Sequence, residues 1–588
     1  MSPMLASALR LSRLLPAAAL LATACKDSPT GPGAPARLAF TLQPVTNIVY
    51  AGIPTFTVTV QDAAGNTITG ASNTINLIIG NNNGQATLSG TTSVVAVNGV
   101  ATFSDIKISS LGTGYSLVAT TANLTAAVSN PFDVTFGPAA KLVFSAQPGL
   151  GSPGGTIAPP VTVTVLDQGD YIVTTAANSI TVAIGTNPGS ATLSGTTTAT
   201  PVNGVATFSN LSINNAGKGY TLTAAATSLT GATSAIFTIR NPLIFAVISA
   251  GYFHTCGVTT VGEAYCWGDN FTGALGDPAL SSSVLPAEVS GGLTFAKIVA
   301  GRDHTCGVNP SSVAYCWGWN DGRLGTAPTS GTQIRSPALV SGNYIFAAVS
   351  AAYAHTCGVT TAGVGYCWGD NTQGELGIGS LTSTTAPTAV LGGLTFASIS
   401  PGRYFSCGVT TANAAHCWGD NFYGELGDGT KVQRTGPVPV SGGFNFASVS
   451  AGGFHACGLT TGGLAYCWGA GGNGQLGDGN PVVSSSIPVA VAGGRTFASI
   501  SVGNRHTCGV TTSGVAYCWG ENSTGHLGIG TRTGSNVPVA VSGGYTFASL
   551  TAGRFHTCGL TTAGKAYCWG ENLLGDGSTG SLVPVAVR

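Results

Sequence analysis

Paired cysteines in the second half of the chain are the residues whose type and spacing point most directly to chemistry. They account for 14 of the 15 cysteines, and nine residues separate the two members of every pair. A turn midway would form a hairpin with the cysteines opposite each other, where Cβ atoms lie roughly 4.5–5.5 Å apart, near the disulfide range. In an oxidising compartment this spacing predicts seven disulfides within repeats: Cys256–Cys266, Cys306–Cys316, Cys357–Cys367, Cys407–Cys417, Cys457–Cys467, Cys508–Cys518 and Cys558–Cys568.

Two other interpretations use the same cysteines. His254 lies two residues before the first cysteine of its repeat, on the same strand face, so each repeat offers three candidate zinc ligands. The cysteines could also remain free buried thiols. The fourth repeat disfavours zinc, because Phe405 occupies the histidine slot although both cysteines remain. We therefore expect neither a metal site nor a cofactor.

A repeat of 50 or 51 residues organises these pairs, since the first cysteines fall at positions 256, 306, 357, 407, 457, 508 and 558. Each repeat contains four short apolar runs, such as residues 286–289, residues 294–301 and the HTCGVT and AYCWG segments. Four strands per unit of this length predict one blade of a β-propeller. The expected fold class is therefore all-β, with a seven-bladed β-propeller over residues 242–588.

The ends of the repeat array suggest how the ring closes. If each blade begins with its Pro-x-x-Val strand, the first copy lacks one, and the last copy of that strand lies at residues 584–587. On this interpretation the C-terminal strand completes the first blade. Closure of that kind would leave no strand edge exposed.

The motif G-x-x-H-T-C-G-V followed by A-Y-C-W-G-x-N-x-x-G-x-L-G resembles the repeat of the regulator-of-chromosome-condensation family. The resemblance covers roughly residues 243–588 and implies a seven-bladed propeller in which the histidines are hydrogen-bonded strand residues that stitch each blade. Paired cysteines are not general in that family. Its eukaryotic founder is a nuclear guanine-nucleotide exchange factor, a role that an export signal disfavours. A secreted bacterial β-lactamase inhibitor with a similar fold implies that such rings can bind proteins outside the cell.

A different repeat precedes the propeller. Residues 38–136 and 142–239 align at an offset of 104 to 105, with ATLSGTT at 86 and 191 and VNGVATFS at 97 and 202. Their length and alternating apolar runs predict two immunoglobulin-like β-sandwiches, at residues 37–137 and 138–241. They resemble the immunoglobulin-like modules of bacterial surface proteins. Tyr115 and Tyr220 are candidates for the tyrosine corner of each sandwich.

The N-terminus has the pattern of an export signal. Arg10 and Arg13 precede an apolar run at residues 14–24 that is too short to span a bilayer. The LLATAC segment resembles a lipoprotein signal, in which residues 1–24 are removed, Cys25 is lipidated and residues 25–36 form a flexible tether. Cys25 is also the one cysteine without a repeat partner. The alternative is cleavage after Ala24 and simple secretion, so we expect an outer-membrane lipoprotein of the cell envelope or a secreted protein.

The composition disfavours several function classes. Charged residues make up 7% of the chain, and Lys plus Arg equals Asp plus Glu at 21 each, so no electrostatic footprint for nucleic acid exists. No Ser/His/Asp order, paired carboxylate set or metal cluster stands out, which disfavours an enzyme. We expect a monomer that contacts the membrane only through its lipid anchor.

Function is better sought where the repeats disagree. The two positions before each histidine slot and the loop after each CWG vary, and both are rich in arginine and aromatic residues, which anchor protein interfaces. The sequence leaves open whether the two sets share one face of the ring, and whether the variation is ordinary loop variation. The candidate binding residues are Tyr252, Arg302, Trp319, Tyr353, Arg403, Tyr404, Phe422, Tyr423, Arg505 and Arg554.

These observations favour an exported surface protein whose propeller binds a protein or glycan partner without catalysis. The alternatives are a purely structural envelope protein and a propeller-type hydrolase or lyase. An excess of aromatic residues on one face would favour binding, whereas a convergent acid pair in the central channel would favour catalysis.

Overall fold

A computed structural model describes residues 33–49, 51–326, 332–481 and 483–588. These residues form 51 β-strands and no helix, so the predicted all-β class is confirmed. Nothing in the described part of the chain resembles a helix long and apolar enough to cross a membrane. The signal at residues 1–24, the lipidation candidate Cys25 and most of the predicted tether lie outside the described residues. The chain divides into two compact units, Met1–Asn241 and Pro242–Arg588.

The first unit contains two sets of strands in the same order. The first set is β1 (Arg37–Leu42), β2 (Asn47–Ile48), β3 (Phe56–Gln61), β4 (Thr74–Ile79), β5 (Leu88–Ser89), β6 (Ser93–Val95), β7 (Val100–Phe103), β8 (Lys107–Ile108), β9 (Gly112–Tyr115), β10 (Leu117–Thr120), β11 (Ala127–Val128) and β12 (Phe132–Thr135). The second set is β13 (Lys141–Ala146), β14 (Val161–Leu166), β15 (Ile180–Ile184), β16 (Leu193–Ser194), β17 (Thr198–Ala199), β18 (Val205–Phe208), β19 (Ser212–Ile213), β20 (Gly217–Tyr220), β21 (Leu222–Ala225), β22 (Ala232–Thr233) and β23 (Phe237–Ile239). The sheet β1-β3-β7 recurs as β13-β14-β18, and β11-β10-β4-β6 recurs as β22-β21-β15-β17.

Each set of strands encloses its own apolar core. In the first set, Phe56 of β3 and Leu117 of β10 come from different sheets and are buried in one cluster, because alternate side chains of a strand point to the same face. Tyr115 donates its hydroxyl to the carbonyl of Ser110 at 3.0 Å, and Tyr220 donates to Asn215 at 2.9 Å. Such bonds to a carbonyl a few residues upstream are typical of tyrosine corners. They support the immunoglobulin-like assignment, which stays a prediction.

The second unit consists of seven successive four-stranded antiparallel sheets. Sheets one to four are β24 (Phe245–Ala250), β25 (His254–Thr259), β26 (Ala264–Asp269), β27 (Ser282–Glu288); β28 (Lys297–Ala300), β29 (His304–Val308), β30 (Ala314–Asn320), β31 (Thr332–Leu339); β32 (Phe346–Ala351), β33 (His355–Thr360), β34 (Gly365–Gly369), β35 (Thr384–Ala389); and β36 (Phe396–Pro401), β37 (Phe405–Thr410), β38 (Ala415–Gly419), β39 (Arg434–Pro439). Sheets five to seven are β40 (Phe446–Ala451), β41 (His455–Thr460), β42 (Ala465–Ala470), β43 (Ser484–Ala490); β44 (Phe497–Val502), β45 (His506–Thr511), β46 (Ala516–Gly520), β47 (Ser535–Ala540); and β48 (Phe547–Ala552), β49 (His556–Thr561), β50 (Ala566–Glu571), β51 (Gly580–Ala586).

The second and third strands of every sheet carry the cysteine pairs. In the first sheet Cys256 is the register partner of Cys266, with Cα atoms 4.1 Å apart, and a disulfide joins them. The same pairing recurs in all seven sheets, including Cys407–Cys417 of the fourth, which lacks the histidine. All of these cysteines are fully buried. Each disulfide therefore locks the central hairpin of its sheet.

The predicted position of the Pro-x-x-Val strand within each blade was wrong. The structure places the Pro-x-x-Val strand last in its sheet, so β27 pairs with β26 and β51 pairs with β50, where Val585 lies opposite Cys568. The C-terminal strand thus completes the seventh sheet rather than the first. The physical reason is that a periodic pattern determines the length of a unit but not the residue at which the unit begins.

The ring closes because the seventh and first sheets meet through the same contacts as other neighbouring sheets. The Phe245 amide donates to the carbonyl of Gly564 at 2.8 Å, as the Phe295 amide donates to Gly262 at 2.8 Å between the first and second sheets. Trp267 of the first sheet packs in one apolar cluster with the Cys558–Cys568 pair of the seventh. The result is a closed ring of seven sheets, the arrangement of a β-propeller.

Candidate binding face

The histidines at the start of each second strand join neighbouring sheets. Their Nε2 atoms lie 2.7–2.9 Å from a hydroxyl oxygen of the next sheet. The family resemblance implied that these histidines form hydrogen bonds that hold each blade together. In the structure the bonds run between neighbouring blades instead. The pairs are His254–Thr305, His304–Thr356, His355–Ser406, His455–Thr507, His506–Thr557 and, across the closure, His556–Thr255.

The hydrogen-bond network fixes which ring nitrogen carries the proton in five of these histidines, and His254 is an example. Thr305 donates its hydroxyl hydrogen to the carbonyl of Ala274 at 2.7 Å, so the Nε2–H of His254 must be the donor toward Thr305. The side chain is buried, and burial lowers the pKa of His254 to about 3. A neutral imidazole of this kind is a structural donor rather than a general base at neutral pH.

The junction between the fourth and fifth sheets lacks this hydrogen bond, because both residues of the pair are replaced. Phe405 replaces the histidine of the fourth sheet, and Ala456 replaces the threonine of the fifth. Both side chains are buried in one apolar cluster. The polar pair has thus been replaced on both sides of the junction at once, which avoids the unpaired buried donor that either change alone would create.

Restoring the polar pair in two steps should reveal this coupling. Phe405→His alone is expected to cost about 1–3 kcal/mol, because the new Nε2–H would face the methyl group of Ala456 without an acceptor. Adding Ala456→Thr should recover most of that loss. Urea unfolding of both single variants and the double variant measures the interaction free energy. Additive single effects would contradict the matched junction.

The tryptophans of the CWG segments also lie at the junctions between neighbouring sheets. Trp317 donates its Nε1–H to the carbonyl of Ala274 at 2.9 Å, the same carbonyl that Thr305 uses. All seven of these tryptophans are fully buried. They are packing residues between sheets, as the sequence indicated. With the cysteine sulfurs bonded to each other, no group of three potential metal ligands occurs in the described part of the chain.

The variable residues before each histidine slot converge on one end of the ring. Arg302 lies 4.1 Å from the ring centroid of Tyr353, and Tyr353 lies 5.5 Å from Tyr252 and 5.8 Å from Tyr404. We call this cluster the arginine–aromatic face. It comprises Tyr252, Phe253, Arg302, Tyr353, Arg403, Tyr404, Phe454, Arg505, Arg554 and Phe555, which stack on one another at 4.1–6.3 Å.

The loops after CWG lie at the same end of the ring, which answers the question that the sequence left open. The Trp319 amide donates to the carbonyl of Asp303 at 2.9 Å, and the Asp420 amide donates to Tyr404 at 2.9 Å. Tyr423 makes an edge contact with Phe454 at 6.1 Å. Phe422, which is 69% exposed, packs against Tyr423 at 4.9 Å. All ten candidate binding residues therefore belong to one side of the propeller.

A small cavity opens at the centre of the arginine–aromatic face. Its volume is about 170 Å³, and its walls are mostly Gly, Ala and Ser of the first strands and the residues that follow them. Its larger polar side chains are Tyr252, Tyr353, Arg403 and Asn504. No carboxylate and no histidine lines it. The acid pair that would have favoured catalysis is thus not part of this cavity's lining.

The sequence analysis missed a set of buried polar side chains at the variable position of G-x-L-G. Glu375, Glu425, Gln475 and His526 are at most 2% exposed. Their carbonyls accept the tryptophan Nε1–H of the next sheet, as Trp418 donates to Glu375 at 2.9 Å. Burial raises the pKa of Glu375 and of Glu425 to about 7. The available signal was a polar residue between the Gly and the Leu of this motif, a pattern that by itself is typical of a solvent-exposed loop.

Sequence comparison places the second unit in a known class of propeller. The Regulator of chromosome condensation (RCC1) repeat matches residues 261–308, 363–409, 414–459, 462–510 and 513–560. A second form of that repeat matches residues 245–274, 396–425, 446–475, 497–525 and 547–576. The ring and its repeated junctions define a repeat-built β-propeller. The second unit therefore contains RCC1 repeats, and the resemblance drawn from the sequence is confirmed.

Two solved structures share this fold at a TM-score above 0.5, and a third is similar at a lower TM-score. Human WBSCR16 is 21% identical, with 56% of this chain and 89% of that chain covered and a TM-score of 0.51. Yeast RCC1 (Prp20), in a structure with Kap60 bound, is 18% identical, with 59% and 85% covered and a TM-score of 0.51. Prp20p from Saccharomyces cerevisiae, described with its binding to Gsp1p and histones, is 22% identical, with 52% and 80% covered and a TM-score of 0.47. No curated protein sequence matches this chain.

Proposed function

We propose that this is an exported, lipid-anchored bacterial surface protein whose propeller binds a protein partner without catalysis. The arginine–aromatic face carries the proposal, because arginine and aromatic side chains are the residue types that dominate binding energy at protein interfaces. The repeats share the same histidine–hydroxyl bond at six of the seven junctions and differ at this face, as expected of a scaffold that presents a specific surface. In the first unit, the two predicted sandwiches would act as spacers.

Protein binding is also what the names of related propellers describe. Yeast RCC1 (Prp20) has been crystallised with Kap60 and studied for its binding to Gsp1p and histones. Those partners belong to that protein. Here a predicted export signal and a formal net charge of zero favour a partner outside the cell.

The binding proposal is tested by removing aromatic side chains from the face of the full mature chain. Replacing Tyr353, Tyr404 and Phe454 together by Ser should weaken capture of the partner from the native medium at least about tenfold, since single interface anchors contribute about 2 kcal/mol or more. The matched control replaces Val261, Ile345 and Leu464, which are 72%, 57% and 45% exposed and lie outside the face. Equal capture by both variants would contradict binding at this face, and a glycan as the captured species would replace the protein partner.

Export is tested separately by mass. Mature protein from a native host is expected to begin at Cys25 and to carry lipid there, because Cys25 is the one cysteine outside the seven pairs. Intact-mass analysis of the wild type, with Cys25→Ser as the control, measures this directly. An unmodified N-terminus at Cys25 would rule out the lipid anchor.

A further inference from the structure

The central cavity sets a limit on what the arginine–aromatic face can accept. Its volume of about 170 Å³ is below the roughly 300–1,000 Å³ of pockets that hold drug-sized ligands. It has room for one side chain from a larger partner. Because its wall is built from the backbones and small side chains of all seven sheets, the chemistry at its mouth is determined by the few large polar residues there.

Arg403 is the one charged residue among the described residues that line this cavity. Its guanidinium carbon lies 4.7 Å from the ring centroid of Tyr353, 4.8 Å from that of Tyr404 and 5.0 Å from that of Phe454. Its Nε is buried and has no hydrogen-bond partner among the described residues. The aromatic rings hold the side chain in place and leave its donors free.

Two other arginines on this side of the ring have carboxylate partners, whereas Arg505 and Arg554, like Arg403, have none within ion-pair distance among the described residues. Of these three arginines, Arg403 is the one that lines the cavity. Arg302 pairs with Asp303 at 3.2 Å, and Arg323 pairs with Asp303 at 3.5 Å and with Asp321. In the described part of the chain, no carboxylate lies within ion-pair distance of Arg403. A partly buried cation without a counterion is costly, and a ligand that supplies the counterion removes that cost.

A second polar side chain of the cavity lining, Asn504, is also a donor. Tyr252 donates its hydroxyl to Asn504 Oδ1 at 3.2 Å, which leaves the Asn504 amide nitrogen to donate. Burial raises the pKa of Tyr252 to about 12, so the phenol keeps its proton. A guanidinium and an amide nitrogen together fit a group that only accepts hydrogen bonds, and a carboxylate is such a group.

None of the described carboxylates on this side of the ring lines the cavity. Asp303 is paired with Arg302 and Arg323, and two carboxylates of the loops after CWG are engaged in their own turns. Asp269 accepts the amide of Phe271 at 2.8 Å, and Asp420 accepts the amide of Phe422 at 3.3 Å. Positive charge thus occupies the centre of the face and negative charge its periphery. This arrangement complements a partner with an acidic residue at the centre of its docking surface.

We propose that the protein partner docks by inserting one Asp or Glu side chain into the mouth of the central cavity, where its carboxylate pairs with Arg403 and accepts a hydrogen bond from Asn504. The inference rests on the proposed function and names the chemistry of its partner. A protein is favoured over a free anion because the aromatic side chains around the cavity offer contact area that a lone carboxylate does not use.

The test selects disulfide-constrained peptides from a display library on the full mature chain. Binders that compete with one another should share one Asp or Glu, and changing that residue to Asn or Gln should weaken binding at least tenfold. Arg403→Gln should cause the same loss, and Arg403→Lys should restore part of it. In the Arg403→Gln variant, changing the acidic residue of the peptide should weaken binding no further, because a direct pair has already been broken. Arg495→Gln is the matched control, because Arg495 stacks at 4.4 Å on Tyr517, outside the face.

The outcomes separate this inference from the proposed function. Peptides that need Tyr353 and Tyr404 but contain no essential acid, or that ignore Arg403→Gln, would overturn the carboxylate inference and leave binding at the face intact. Failure to select any binder that depends on the face would count against both. Binding of the polyuronate alginate in an Arg403-dependent manner, with no peptide binder, would replace the protein by an acidic glycan.

Discussion

Removal of residues 583–588 is expected to destabilise the propeller by at least about 5 kcal/mol. Val585 and Val587 pack in the cluster that joins the seventh sheet to Trp267 of the first. The amide of Val587 also donates to the carbonyl of Ala566 at 2.9 Å. Their loss would uncover the last sheet of the ring and the seam at which the ring closes, so the damage should not remain local.

Urea unfolding followed by tryptophan fluorescence measures this effect, because the CWG tryptophans are buried. Val585→Ala with Val587→Ala should reproduce a large part of the loss. Val583→Ala is the matched control, since Val583 belongs to the same strand and is 40% exposed. A truncated chain that unfolds at the same urea concentration as the full chain would show that the ring does not depend on this strand.

Acidification from pH 7 to pH 5 is expected to weaken the propeller by several kcal/mol. Burial lowers the pKa of His254, His355 and His455 to about 3 and that of His556 to about 4, and it lowers those of His304 and His506 as well. In the unfolded chain these residues bind protons below about pH 6.5, whereas the folded ring does not. The contribution of these histidines to the free energy of unfolding is therefore fully present above that pH. Below it, the free energy of unfolding falls by roughly 1.4 kcal/mol per pH unit for each histidine.

Two glutamates act in the opposite direction. Glu375 and Glu425 have a raised pKa of about 7. Their contribution to the free energy of unfolding is therefore fully present below the usual pKa of a glutamate and is lost as the pH rises through 7. With two glutamates against six histidines, the net change on acidification is still a loss.

A matched variant isolates the histidine contribution. His254→Phe with Thr305→Ala copies the apolar fourth junction and should reduce the summed contribution of these six histidines to the pH dependence by about one sixth, since it removes one of six similar titrations. The unfolding free energy at pH 7, 6 and 5 is the measurement. An unchanged free energy of unfolding across this range would mean that the buried histidines are not coupled to folding.

The sequence could predict the number of sheets and the cysteine pairs, because both follow from spacing along the chain. Nine residues between Cys256 and Cys266 determine a hairpin whatever surrounds it. The residue at which each blade begins could not be predicted in this way. The strand that contains Pro286, β27, has a loop on each side, and only hydrogen bonding to β26 assigns it to the first sheet.

The binding face was predictable as a list of residues but not as a surface. Tyr353 and Arg403 lie 50 residues apart in sequence, and the packing of the third sheet against the fourth brings the Arg403 guanidinium carbon to 4.7 Å from the Tyr353 ring centroid. Glu375 and Glu425 were missed because their burial depends on the neighbouring sheet, whose tryptophans cover them. Contacts between repeats have no signature within one repeat, unless two repeats change together, as Phe405 and Ala456 do.

That exchange also limits how such a gene can grow by duplication. The two residues that begin a second strand serve opposite neighbours: in the fourth sheet Ser406 bonds His355 of the third, while Phe405 faces the fifth. A copy of an ordinary sheet would meet a suitable partner on either side. A copy of the fourth sheet alone would set Phe405 against a serine, whereas the fourth and fifth sheets copied together would match throughout. Most blades of this ring can be inherited singly, but these two must be gained or lost as a pair.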